Sequence, residues 1–389
     1  MDGIKTLVAA NRDYIINMRR HFHMHPEIGG EERETQATIV KELQTMGLAP
    51  RKAADTGVIA EIPGPDGGKL VALRADIDAL PITDEIDKPY CSRRAGFCHA
   101  CGHDGHAAML LGTAKVLAAM GKKLSGSVRM LFQPSEERFP GGAERMIADG
   151  AMDGVAAVCG AHLWQPLPIG VIGVANGPLM ASPDEFTITI QGKGGHGSMP
   201  NQTVDPILVG AQLVLALRTI TGANVDPREP GVLTLGMFKA GEAFNIIPDT
   251  AVLKGTVRTF EQGLREGIFA QLEAYCRGIC GASGATYSIE PTYGYPPVVN
   301  PPAATAVVED AGKETLGPDS IWHVKPLMTG EDFSYYQQKA PGAFFLVGAG
   351  NPAKGITHPH HHPKFDIDED ALAYGCETMV RAALKFMAP

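Results

Sequence analysis

Four short apolar runs limit the fold more than any other feature of this 389-residue chain. "KLVALRAD" from residue 69, "SVRMLFQP" from 127, "VAAVCGAH" from 155 and "GAFFLVGAG" from 342 are mostly apolar, with little alternation. Runs of that kind read as strands covered by helices on both faces, which implies a largely parallel sheet in an α/β architecture. Helical spacing accompanies them: residues 31–48 place Thr35, Ile39, Leu43 and Met46 on one face and stop at Gly47.

The middle of the chain has another rhythm. In "DEFTITIQGKG", Phe186, Ile188 and Ile190 alternate with polar neighbours, the period-2 mark of a strand with one solvated face. A helix at "DPILVGAQLVLALRTI", strands at "VLTLGMF" and "TAVLKGTVRTF", a helix near 262–281 and a strand at "ATYSIEPTY" complete the order β-α-β-β-α-β, the ferredoxin-like pattern. Because 389 residues exceed what one core comfortably holds, the expected organisation is a catalytic domain in two parts, 1–182 and 295–389, around an inserted α+β domain at 183–294. Turn-rich stretches at "ANGPLMASPD" and "YGYPPVVNPP" supply the hinges.

Polar residues follow the apolar runs. Asp76 and Asp78 come after the first, Glu136 and Glu137 after the second, and His162 ends the third. Ligands of open α/β sheets bind at the carboxyl ends of the strands, so these groups converge on one crevice. "HACGHDGH" adds Cys101 and His103 from the loop that opens a helix. Cys98 and Cys101 form a C-x-x-C that reads as a redox pair or, in histidine-rich surroundings, as part of a metal site, and the metal site fits better. Cys276 and Cys280 read as packing. The histidines at 358, 360, 361 and 362 form either a loose metal-collecting tract or a source of one further ligand. Together, Cys101, His103, Glu136, Glu137, His162 and a C-terminal histidine outnumber the ligands one catalytic zinc needs, which points to two divalent ions with a thiolate between them.

Net charge is −9, with no clustered Lys and Arg, which argues against nucleic acid or an anionic membrane as the main partner. No stretch approaches 18 uninterrupted apolar residues and the N-terminal segment carries no apolar core for secretion, so the expected location is cytoplasmic. Seven cysteines in a long chain fit reduced thiols.

In family order, "RRHFHMHPEIGGEE", "ALRADIDALPI", "HACGHDGHAAMLLG", "FQPSEE", "GGAERMIADG", "GAHLW", "GGHGSMPNQTVDPI", "NIIPDTAVLKGTVRTF", "TGEDFSYY" and "HHPKFDIDEDAL" run nearly end to end. On these motifs the chain resembles the aminoacylase, carboxypeptidase and hippurate hydrolase family of dinuclear metallohydrolases, in the cysteine-ligand branch that includes plant auxin-conjugate amidohydrolases. The resemblance implies metal ligands at Cys101, His103, Glu137, His162 and His361, the last from its place two residues before the Pro of "HHPKFD". It implies a general base at Glu136, an orienting acid at Asp76, and Arg74 where the wider superfamily has a histidine ligand. On the inserted domain, which resembles the family's lid and dimerisation domain, it implies a carbonyl-polarising His196 and substrate contacts at Asn245 and Arg258. "RFP" at Arg138–Pro140 departs from the family's glycine-rich loop and bears on substrate preference.

The implied activity is metal-dependent hydrolysis of the amide of N-acyl or N-aroyl amino acids, by a homodimer or higher homo-oligomer joined through the lid. The metals would be Zn, Mn, Co or Ni, chosen by ligand softness and open water sites. The alternatives are a metallo-dipeptidase or carboxypeptidase acting on short peptides, a metal-binding scaffold without chemistry, and a thiol-disulfide oxidoreductase.

Overall fold

The four apolar runs are neighbouring strands. Ser127–Gln133, Leu70–Asp76, Val155–Pro168 and Gly342–Gly350 lie side by side in that order, all parallel. Every residue of Gly342–Gly350 is buried, and Val71, Ala72 and Leu73 are wholly so, as lack of alternation requires. In this computed structural model, which describes residues 3–388, four further strands widen the sheet to eight. Gly57–Ile62 and Arg51–Ala53 add antiparallel on one side. Ile172–Val174, antiparallel to its neighbour, and Ile321–His323 add on the other. The sheet is therefore mixed, with a parallel centre.

Helices flank it. His103–Met120 is buried over most of its length, with Leu110, Leu111 and Leu117 fully removed from solvent, each contributing about 1.5–3 kcal/mol of transfer free energy. Its start lies hard against the strand that carries His162: a Cβ on Gly105 would fall 2.3 Å from Leu163 Cδ1. Glycine there lets two site-bearing segments approach each other. Helices Arg12–Met24, Pro302–Leu316 and Asp370–Met387, none of which had been read from the sequence, complete the layer. The helix expected over 31–48 runs over Arg33–Thr45, because Glu32 turns inward instead of extending it.

The described residues fall into two units: 3–179, Val298–Lys325 and 332–388 form the first, and Met180–Pro297 with Pro326–Glu331 the second. The first connection is less turn-like than its composition suggests. Gly177–Met180 is a strand paired with Val298–Asn300, and Ser182–Gln191 follows almost at once.

The second unit contains an antiparallel sheet in the order Gly231–Ala240, Thr250–Thr259, Ser182–Gln191, Thr286–Thr292. Phe186, Ile188 and Ile190 point into its core with Leu213 of helix Pro206–Leu217 and with Leu272, Cys276 and Cys280 of helix Gln262–Ser283. The first of these helices is started by Asp205, whose side chain accepts from the Ile207 N–H at 2.8 Å, and by Pro206. One stretch, Pro206–Ala223, is long and apolar enough by composition to cross a membrane, although Gln212, Arg218, Thr219 and Thr221 interrupt it. It divides into two helices at Arg218, and Val209, Leu213, Leu217 and Ile220 pack into this unit's core. All seven cysteines are free of disulfides.

Candidate metal centre

Strand ends and one helix start bring the donors together. Cys101 immediately precedes helix His103–Met120, whose N-cap Gly102 takes a φ of 97° that glycine adopts freely. His162 lies in strand Val155–Pro168, and Glu136 and Glu137 follow strand Ser127–Gln133. His361 has a φ of 63° and is held by its own N–H donating to Ala100 O at 2.8 Å. That bond ties the C-terminal loop to the residue beside Cys101.

Two donor sets share the sulfur of Cys101. One is Cys101, His103 and His162; the other is Cys101, Glu137 and His361, and within each set the donor atoms lie within 4.8 Å of one another. Glu136 forms a further set with His103 and Glu137. His162 Nε2 is 3.5 Å from Cys101 Sγ, and His361 Nε2 is 3.1 Å from Glu137 Oε1. His360 instead stacks on Trp164, ring centroids 4.6 Å apart. Of the tract, His361 joins these donor sets, while His360 packs edge-on against His162, ring centroids 5.3 Å apart.

The cluster's electrostatics favour a cation. His103 Nε2 is buried with no hydrogen-bond partner among the described residues, while Asp76 Oδ2 and Glu137 Oε1 stand 3.7 and 3.9 Å away. Burial opposes charge on His103, yet Asp76, Asp78 and Glu137 outweigh it and push the imidazole up to about 10. The unpartnered Nε2 facing two carboxylate oxygens is a position that a cation would fit. Burial, followed by Glu137, Glu136 and Asp76, pushes the Cys101 thiol well above its ordinary value. A divalent cation reverses that balance by stabilising the thiolate. Burial also holds His162 well below the usual histidine value, in the neutral form that binds metals. Soft sulfur, imidazoles and a carboxylate suit a transition-metal ion.

Three residues support the donors: Asp78, expected in the crevice but without a role, and His106 and Asp332, for which the sequence indicated no role. Asp78 accepts at the ring nitrogen opposite the free one: His103 Nδ1 lies 2.9 Å from its backbone oxygen and 3.2 Å from Oδ1. This fixes the tautomer that leaves Nε2 for a metal. His106, one turn along the helix, has Nδ1 2.5 Å from Asp76 Oδ1, and its Nε2 accepts from Leu163 N at 2.8 Å. Asp76 thus orients His106 while standing next to His103. Asp332 accepts from Arg74 Nη2 at 2.8 Å, from Gln133 Nε2, and from the N–H groups of Gly142 and Ala143. Arg74 also donates to Asp76 Oδ2 at 2.8 Å. The guanidinium is committed to this buried network and cannot replace a histidine ligand. Spacing shows nothing of Asp332, which is 199 residues from Gln133.

Asp332→Ala would leave the buried Arg74 charge short of one acid and two backbone donors without an acceptor. A loss of about 3 kcal/mol or more is expected in urea unfolding. A change under about 1 kcal/mol would contradict the network's structural weight.

In the second unit, His196 and Asn245 lie on adjacent segments: Gly195–His196 pairs with Ile246–Ile247, and Gly197 N donates to Asn245 O at 2.9 Å. His196 is exposed, and its Nδ1 accepts from Ser198 N at 3.1 Å, so the ring proton resides on Nε2. Arg258 is at the far end of strand Thr250–Thr259, opposite Pro183. Its Nη1 is buried with no hydrogen-bond partner among the described residues.

A mixed sheet with a parallel centre, around which a helix start, a strand, a loop after a strand and a C-terminal loop gather thiol, imidazole and carboxylate donors, with Glu136 beside them, defines a hydrolytic enzyme of the metal-binding amidohydrolase and peptidase class. The chain belongs to peptidase family M20/M25/M40, whose model matches residues 72–385. It is 48% identical over 300 residues to an N-acyl-L-amino acid amidohydrolase of Geobacillus stearothermophilus, covering 77% of this chain and 81% of that one. It is 38% identical to thermostable carboxypeptidase 1 of Saccharolobus solfataricus, covering 99% and 98%. Among solved structures it is similar to a Bacillus subtilis M20 peptidase described as dinuclear metal binding, with TM-score 0.84, 36% identity and coverage of 97% and 98%.

Proposed function

We propose that the enzyme hydrolyses N-acyl or N-aroyl amino acids to a carboxylic acid and a free amino acid, using two divalent ions per chain. The observation that carries this reading is the pair of donor sets meeting at Cys101, with Glu136 beside them. Cys101, His103, Glu137, His162 and His361 would hold the ions, which can be zinc, manganese, cobalt or nickel. Bound there, the ions would supply Lewis acidity toward an amide carbonyl and would acidify water, toward a pKa of about 7 in favourable zinc sites.

Glu136 takes the proton of the attacking water on its carboxylate and returns it to the leaving amine nitrogen. It is 8% exposed, so the transfer takes place with little competing solvent. Asp76 positions the metal-side histidines through His106. His196, whose proton is on Nε2, donates to the carbonyl oxygen as charge develops there, a contribution of about 3 kcal/mol. Asn245 contacts the amide. Arg258 receives the substrate carboxylate with paired donors.

His196 and Arg258 serve one small substrate only if two chains contribute. Eight residue-to-residue steps of extended strand lead from Thr250 to Arg258, about 26 Å at 3.3 Å per step, and His196 lies beyond the Thr250 end. A homodimer through the second unit supplies the missing histidine. Leu208, Leu215, Phe244 and Ile246 are exposed there beside the edge strand Gly231–Ala240, and apolar surface of this kind favours a protein partner. The net charge of −9 disfavours nucleic acid and anionic membrane surfaces, and the enzyme acts in the cytoplasm. His196→Ala is expected to lower kcat by about 100-fold with a smaller change in KM, and an unchanged kcat would remove its role.

Carboxypeptidase action on short peptides is the second reading, favoured by the similarity to the Saccharolobus enzyme. Hydrolysis of N-acetylmethionine, hippurate and a dipeptide by one metal-analysed sample decides. Preference for the acyl substrates supports the first reading, and preference for the dipeptide overturns it.

A further inference from the structure

The loop that carries Glu136 is gripped on both sides by buried carboxylates. Ser135 takes a φ of 57°, a left-handed conformation costly for a residue with a side chain. Its N–H donates to Glu32 Oε1 at 2.9 Å, and the Glu137 N–H donates to Asp78 Oδ2 at 3.0 Å. Glu32 is fully buried, and its other oxygen accepts from Thr56 Oγ1 at 2.6 Å. Arg145 Nη2 also donates to Ser135 Oγ at 3.2 Å. Gly29 crowds the same turn: a Cβ there would meet Ser135 Cα at 3.1 Å.

We propose that Glu32 is a positioning residue of the reaction, holding Ser135 in its left-handed conformation and so setting where Glu136 presents its carboxylate. Glu32 belongs to none of the donor sets described above. Its carboxylate replaces the backbone partner that an amide in this turn lacks and fixes the loop from the front, while Asp78 fixes it from behind. This rests on the reading of Glu136 as the general base.

Misplacement of a catalytic group by about 1 Å can cost about 100-fold in rate, and that scale sets the prediction. Glu32→Ala is expected to lower kcat by about 10- to 100-fold, with KM and metal content unchanged. Glu32→Gln should restore most of kcat, because its carbonyl oxygen still accepts from Ser135 N and its amide can donate to Thr56 Oγ1. Glu32→Ala combined with Ser135→Gly should recover part of the loss, since glycine adopts this φ at no steric cost. The proposal is overturned if Glu32→Ala leaves kcat unchanged, if it loses metal in step with activity, or if Glu32→Gln is as impaired as Glu32→Ala. Should Glu32→Ala fail to fold, Thr56→Val removes only the donor that fixes Glu32, and a kcat unchanged by it would count equally against the proposal. Glu136→Gln assayed alongside separates the two ideas. An active Glu136→Gln removes the general-base reading, whereas an inactive one beside a fully active Glu32→Ala removes the positioning role alone.

Discussion

Glu136→Gln is expected to lower kcat by about 1,000-fold or more while leaving the metal content and the fold intact. General acid–base catalysis by a positioned side chain contributes about 10²–10⁴-fold, and Glu136 is assigned two transfers, from water and to the amine. The amide of glutamine matches the carboxylate in size, so the buried loop keeps its packing and only the proton acceptor is lost. Glu136 joins His103 and Glu137 in a donor set but belongs to neither set that shares the Cys101 sulfur. Metal binding should therefore survive. Elemental analysis and kinetics on the same sample check both halves. A variant with normal kcat, or one that has lost its metals, would show that Glu136 is not the base.

Cys101→Ala should remove metal and activity together. The sulfur is the one donor common to both sets, so its loss leaves His103 and His162 on one side and Glu137 and His361 on the other, each a donor short. It also removes the group whose ionisation a cation alone can support among Glu137, Glu136 and Asp76. Dialysed protein is expected to hold under half of the wild-type metal, with turnover reduced in proportion. Full occupancy with full activity would exclude the bridging role.

The parallel centre of the sheet was legible because Val71–Leu73, Met130–Phe132 and Phe344–Val347 are covered on both faces, and unbroken apolar runs have few other uses. The second unit was legible through the alternation of Phe186, Ile188 and Ile190. Helices Arg12–Met24 and Asp370–Met387 were missed because buried charge interrupts their apolar pattern: Arg19 is fully buried against Asp104 and Asp366, and Glu377 pairs with Arg381. At the site, residue type and motif order pointed to the donors, and the fold gathers Cys101, His103, Glu137, His162 and His361. The supports stayed hidden for a different reason. Glu32 and Asp332 act on partners 24 to 258 residues away, and Asp78, expected in the crevice, acts on His103 and on a backbone amide; no local spacing records such contacts. His106 follows His103 within one motif, yet the sequence could not separate a ligand from a residue that braces Asp76 against Leu163.

Crystals of the metal-loaded enzyme, analysed by anomalous scattering at the metal's absorption edge, test the central claim most directly. Two peaks are predicted, both at bonding distance from Cys101 Sγ, about 2.3 Å for zinc, with His162 and His361 on different ions. A single peak, or a sulfur bonded to neither, would contradict the account.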